Sequence, residues 1–330
     1  MGIKALRKLQ LGIESTSGTA VAATVVLRGT GALEDKRTVV DAAEDVGILG
    51  GANRFYTPWL EGGLTMDAEA TFEQLPLVLA CGIKDVVSGV ADGVGSGKVY
   101  AYPFPTTAVN SIKTATLESG DDVGAEEMQY GFVDSFKISG SPKEALKLNV
   151  SWIGRTVTPT TITGGLSIPA VNEILFTTGK LYLDDTSTYP ATTAVSNTLL
   201  GMQMDVKTGW KLVASAGQAS AFFDFIKNVG AEINLDITFE HNASAVAEKA
   251  KWRAGTARSL KLVFEGKALS SAGTYSKYSL IIQLAGSWLA FSQLGDQDGN
   301  DIVSGKFRAK YDGTAAAIGT ITVVNETASL

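Results

Sequence analysis

The chain has one cysteine and one histidine in 330 residues, Cys81 and His241. A single thiol excludes an intrachain disulfide, and one Cys with one His cannot supply the ligands of a Cys/His zinc site. Cys81 lies in the apolar run Leu75 to Cys81, where a buried thiol acting as a small hydrophobe is expected. Proline is scarce, 8 residues against 36 glycines, and charged residues make up only 19%. That balance points to alternating strands and glycine turns, and away from disorder or long helices. No window approaches the ~18 apolar residues of a membrane span, and no apolar segment follows the basic start at Lys4, Arg7 and Lys8. The expectation is a β-rich soluble protein, made and used without secretion and without a membrane partner. A basic excess is also missing: 28 Lys and Arg face 34 Asp and Glu, a net charge of −6. With no dense Lys/Arg patch, tight DNA or RNA binding is not expected.

What the chain does have is an echo. From Leu64 the residues alternate, with Leu64, Met66, Ala68, Ala70 and Phe72 on a dry face and Thr65, Asp67, Glu69, Thr71 and Glu73 on a wet one. The pattern returns at Ala231, with Ala231, Ile233, Leu235, Ile237 and Phe239 against Glu232, Asn234, Asp236, Thr238 and Glu240. Both strands end in Thr-Phe-Glu, at Thr71 to Glu73 and Thr238 to Glu240. Both run into a helix that stops at a glycine, Gly82 or Gly255, where a left-handed cap is expected. An offset of about half the chain reads as an internal duplication.

In chain order, residues 1–27 form a basic start and a small-residue stretch, expected as a strand or as an arm that pairs with a neighbour. Residues 28–63 read as a long acidic loop, whose Phe55, Tyr56 and Trp59 suit contact with a partner. Pro76 fits the first turn of the first helix. Gly97-Lys98 fails the phosphate-loop spacing, with Asp92 where a glycine is needed and Val99 after the lysine, and reads as a flexible turn. Ser111 to Glu118, Gln129 to Ser139 and Ala145 to Thr156 then read as an antiparallel meander. Residues 157–172 are rich in Pro and Gly and nearly uncharged, which places a boundary near 165. In the second half, strands are expected at Leu175 to Leu183, Leu199 to Val213, Ser259 to Gly266, Tyr278 to Leu284 and Val303 to Tyr311. An apolar bridge is expected at Phe222 to Ile226 and a last strand in AIGTITVVNETASL. The helix NASAVAEKAKWRAG carries Val246, Ala250 and Arg253 or Ala254 on one face and Glu248, Lys249 and Lys251 on the other.

Candidate chemistry is thin. Asp296, Asp298, Asn300 and Asp301 resemble the start of a calcium loop, but glycine stands fourth instead of sixth and Phe307 replaces the twelfth-position glutamate, so a tight Asp-Gly turn is the better reading. His241 has no nucleophile motif beside it. Asp67, Glu69 and Glu73 recur as Asn234, Asp236 and Glu240 at every other residue, a surface property and not the converging geometry of catalytic acids. No catalytic residue, metal or cofactor is expected, and the protein reads as a non-enzyme.

With VLRGTGAL, EGGLTMDAEATFE, YGFVDSFKISG followed by LKLNVSWIGR, LGDQDGNDIVSGKFRAKYDG and ITVVNET in place, the chain resembles a major tail tube protein of a long-tailed, non-contractile bacteriophage. The resemblance runs over the whole length. It implies β-sandwiches with a flanking helix, whose inner sheets join across subunits into a ring-shaped barrel, and a virion protein assembled in the host cytoplasm. Rings would stack around a tape-measure protein, meet tail-tip and terminator proteins at the ends, and pass DNA without specific binding. The duplication assigns residues 1–165 and 166–330 to two such folds, three chains per ring being favoured and six possible. The second half lacks an obvious counterpart of the long loop. On this reading Asp67, Glu69, Glu73, Glu232, Asn234, Asp236 and Glu240 line an acidic lumen, and Phe55, Tyr56 and Trp59 contact the neighbouring ring. The alternative class is a two-domain β-sandwich binding module, for carbohydrate or adhesion, which would expose aromatics on a sheet face or loops, whereas Trp152, Trp210 and Trp288 sit singly in strands.

Overall fold

In a computed structural model describing residues 2–51, 53–217 and 221–330, the chain is mainly β. Its first half runs β1 (Lys8–Ile13), β2 (Val25–Val26), β3 (Leu33–Asp41), β4 (Phe55–Glu69), α1 (Leu75–Ala80), β5 (Val90–Ala91), β6 (Lys98–Pro103), β7 (Ala115–Gly120), β8 (Ala125–Gly140), β9 (Lys147–Gly154) and β10 (Val157–Thr160). The second half runs β11 (Gly179–Asp185), β12 (Ala194–Val195), β13 (Leu199–Lys207), β14 (Trp210–Val213), β15 (Phe225–Asn228), β16 (Glu232–Glu240), α2 (Ala243–Arg253), β17 (Arg258–Ala268), β18 (Lys277–Phe291), β19 (Gly295–Gln297), β20 (Asn300–Ala309) and β21 (Gly319–Asn325).

The pairings repeat. In the first half β3 pairs β4, β4 pairs β9 and β9 pairs β8; in the second β13 pairs β16, β16 pairs β20 and β20 pairs β18. The two four-strand units are joined by β8 and β13, so that β3-β4-β9-β8-β13-β16-β20-β18 is one continuous antiparallel sheet. A second set of strands repeats as well: β2-β1-β7-β8-β10, and β12-β11-β17-β18-β21 extended by β6 and β5. Among the described residues no sheet closes into a barrel.

The long strands β8 and β18 each belong to both sets, so each must turn a corner. In β8 the corner is Tyr130, at a positive φ of 56° that its side chain disfavours. The Glu14 carboxylate fixes it by accepting the Tyr130 N–H at 2.8 Å. In β18 the corner is at Gly286, where an added Cβ would lie 2.1 Å from the Arg308 carbonyl oxygen, so only glycine fits. One apolar core runs through both halves, holding Met66, Phe72 and Trp152 with Leu235, Phe264, Trp288 and Phe307. A smaller cluster of Tyr130, Phe132, Trp210 and Phe223 seats the β14–β15 hairpin on the first half.

Several expectations change. The N-terminal stretch is no free arm, since β1 and β2 pair with each other and β1 with β7. Residues 28–63 are mostly a two-stranded hairpin of β3 on β4, not an irregular loop. β3 escaped notice because its residues are mostly exposed, Glu34 to Val39 on both faces, leaving no alternation to read. The second half has its counterpart at the same place in the order, the β14–β15 hairpin between β13 and β16. Gly255 is left-handed at φ 64° as expected, but Gly82 is absent from the positive-φ positions. It is glycine because a Cβ would press to 3.2 Å on Thr208 and Val133. On α2 the buried residues are Ala245 and Glu248, while Val246 is exposed. The reading from apolar spacing fails there because Arg258 and the Trp288 Nε1–H, the latter at 2.9 Å, draw Glu248 inward. The Asp298-Gly299 pair does make the expected two-residue turn, with φ of 55° and 83°, between β19 and β20.

Candidate functional site

The feature that sets this surface apart is one face of the eight-strand sheet. Residues directly opposite one another on paired strands point to the same side, so the registers define rows across it. One row reads Thr30, Asp67, Asn149, Lys137, Asp205, Asn234, Arg308, Ser287. A neighbouring row reads Glu69, Lys147, Ser139, Gln203, Asp236, Lys306, Ala290. A third contains Thr65, Ser151, Ser135, Lys207 and Glu232. The opposite face carries Met66, Val150, Ile138, Met204, Leu235 and Phe307, all buried in the core.

Alternation thus places Asp67, Glu69, Glu232, Asn234, Asp236 and Glu240 on one polar face, as the two echoed strands suggested. Glu73 is not among them. The chain leaves β4 after Glu69, and the residues beyond it run under the linker between the halves. Thr71 bridges Glu173 and is buried, and Glu73 accepts hydrogen bonds from the Asn172 N–H at 2.8 Å and from its amide.

The face is also not acidic. Lys137, Lys147, Lys207, Lys306 and Arg308 stand in the same rows as the carboxylates. Lys137 lies 3.7 Å from Asp205, Lys207 3.3 Å from Glu232, and Arg308 2.9 Å from Glu232. Asn149 donates to Asp67 at 2.7 Å and Gln203 to Asp205 at 2.8 Å. Hydrogen bonds from Asn234 and Lys207, with the charges of Lys207 and Arg308, hold the Glu232 carboxyl below the usual glutamate range. Reading along β4 and β16 alone found the carboxylates. The bases on β8, β9, β13 and β20 escaped because balance across a sheet is set by register between distant segments.

The aromatics of residues 28–63 divide. Phe55 and Tyr56 are exposed at the far end of the β3–β4 hairpin, beside exposed Val39, Ile48 and Leu49. Trp59 is half-buried and packs on the Tyr130, Phe132, Trp210 and Phe223 cluster, where the Leu60 N–H also meets the Ala221 carbonyl at 2.6 Å. Trp152, Trp210 and Trp288 are buried, so none presents a ring to a ligand. His241 is exposed, its backbone N–H on the Asp301 carbonyl. Among the described residues no three His, Cys, Asp or Glu side chains group to hold a metal, and no helix is long and apolar enough to cross a membrane. No protein-family model matches the chain, and neither does any curated protein.

Proposed function

We propose that this chain is a structural virion protein, the major tail tube protein of a long-tailed, non-contractile phage. On this reading it self-assembles into rings that stack into the conduit for genome delivery. The observation that carries the reading is the duplicated four-strand unit, joined edge to edge into one sheet with an uncovered polar face. A sheet that already links two copies of a unit is the kind of element that continues through further copies, and a closed ring would turn one face to a lumen and remove open edges. Each half would be a β-sandwich with a flanking helix, β8 and β18 crossing between its layers. Three chains would supply six units per ring. The resemblance of the sequence to tail tube proteins adds the partners: a tape-measure protein inside, tail-tip and terminator proteins at the ends, and DNA passing without specific binding. The role is not enzymatic, and the tube lies in the virion tail.

Negative-stain electron microscopy of the purified protein tests this. Rings or tubes are expected, with three chains by mass in an isolated ring. Monodisperse monomers at high concentration would overturn the reading, and six chains per ring would overturn the stoichiometry.

A further inference from the structure

The eight-strand sheet makes one junction between its repeated units and leaves the equivalent junction open at its two ends. The row through Asp67 shows the repeat residue by residue. Thr30, Asp67, Asn149 and Lys137 in the first unit occupy the places of Asp205, Asn234, Arg308 and Ser287 in the second. The units meet where Lys137, on the last strand of the first, lies opposite Asp205, on the first strand of the second. Ser287 and Thr30 are the same two places at the open ends.

We propose that a second copy of this chain fills both ends, with Ser287 of one copy directly opposite Thr30 of the next, antiparallel, in the register of Lys137 and Asp205. The pairing rests on the ring-forming reading for self-association and adds to it the strands, the polarity and the register.

Backbone geometry at Thr30 supports this. Its N–H and C=O are both bonded to Asp67, at 2.8 and 2.9 Å. In an antiparallel ladder that turns the N–H and C=O of Gly29 and Gly31 toward the open side, ready for a partner strand. Thr30 would then form a non-hydrogen-bonded pair with Ser287, the closer of the two pair types, and two hydroxyls suit that position. On the apolar face the same register sets Trp288 opposite Gly29, a large side chain against none. The bulge between Trp288 and Ala290 shifts the register by one, so Ala290 meets Arg28. Thr30, Arg28 and Ala290 are exposed. Each copy has one edge of each kind, so the contact is head-to-tail and repeats until the rotation closes.

The test is disulfide trapping in the full chain carrying Thr30→Cys and Ser287→Cys. Cys81 is kept, because burial pushes its thiol far up and leaves it unreactive. Mild oxidation is expected to give a ladder of covalent multimers that collapses on reduction. The yield should be roughly tenfold above that of Ala32→Cys with Ser287→Cys, whose two-residue displacement moves one sulfur by about 7 Å. Circular dichroism and the melting temperature check that each variant folds. Arg28→Cys with Ala290→Cys probes the same register should the first pair misfold. Equal or greater trapping by the displaced pair overturns the register. Rings or tubes by microscopy without trapping overturn the pairing and leave the tube reading standing. A ladder without rings sustains the pairing and overturns the tube reading, and monomers without trapping overturn both.

Discussion

Glu14 shows how much a single residue can carry in this fold. Its buried carboxylate accepts from the N–H groups of Gly18 and Tyr130 at 2.7 and 2.8 Å, and from the hydroxyls of Thr114 and Thr116 at 2.6 and 3.1 Å. It thereby ties β1, β7 and the corner of β8 together. Glu14→Gln puts an amide donor among four donors and leaves buried groups unpaired, so a loss of about 3 kcal/mol is expected, read from the denaturant midpoint. A change near zero would mean that other contacts hold the Tyr130 corner. Glu326 joins the β5–β6 hairpin to the turn between β17 and β18. It accepts from the Ser96 hydroxyl, from Ser270 N–H and Oγ–H at 2.6 and 3.1 Å, and from the Tyr278 hydroxyl at 3.1 Å. These bonds, the Ser96 hydroxyl foremost, lower the Glu326 pKa from 4.5 to about 2, while burial and then the Glu326 carboxylate raise that of Tyr278 to about 12. A depressed carboxyl stabilises the fold above its unfolded pKa, and that contribution fades as pH falls from about 4.5 toward about 2. The gap in melting temperature between the protein and Glu326→Gln is therefore expected to be present at neutral pH and to narrow over that window. A gap independent of pH would refute the assignment.

Among the elements, the echoed pair β4 and β16 was legible because one face of each is buried and the other is not, which writes period-two alternation into the chain. The turn at Asp298-Gly299 was legible because its backbone demands positive φ. β3 was not, since its exposed hairpin writes charge on both faces. Nor was the transfer of β6 to the edge of β21, where residues 98–103 of the first half extend the strands of the second. No local pattern records which distant strand receives an edge. The equivalent edge at β10 carries Pro159, which has no N–H to offer a further strand. The two ends of the β3–β4 hairpin separate by mutation. Trp59→Ala removes packing from the Tyr130 and Phe223 cluster and is expected to lower monomer stability by about 2 kcal/mol, less than a fully buried tryptophan would lose. Phe55→Ser with Tyr56→Ser touches exposed rings, should change monomer stability by no more than about 0.5 kcal/mol, and should weaken self-association. Urea midpoints and light scattering on the same samples distinguish the two. A Phe55/Tyr56 variant that associates normally would remove the hairpin end from the contact.

At the scale of the whole molecule, the polar face bears on how a tube wall would treat DNA. Six carboxylates, Asp67, Glu69, Asp205, Glu232, Asp236 and Glu240, share it with the bases Lys137, Lys147, Lys207, Lys306 and Arg308. A wall of nearly balanced sign neither repels a polyanion strongly nor holds it. Alternating charges cancel within a Debye length of about 8 Å at physiological salt, so what duplex DNA meets is close to neutral. Binding by counterion release needs several uncompensated bases, and here a base such as Lys137, Lys207 or Arg308 has a carboxylate within 4 Å. Removing that compensation is the discriminating change. Asp67, Glu69 and Glu240 replaced by lysine should leave folding nearly intact, because all three are exposed and exposed charges contribute little to stability. The same change should convert the face from a non-binder to a salt-sensitive DNA binder. In assembled material the expected readout is retention of duplex DNA at low salt that falls steeply, by roughly tenfold or more, between 50 and 200 mM salt. The unmodified protein should retain none. On the tail-tube reading, a phage built with the variant should eject its genome more slowly. If the variant assembles, binds no DNA and ejects at the normal rate, this face does not line the conduit.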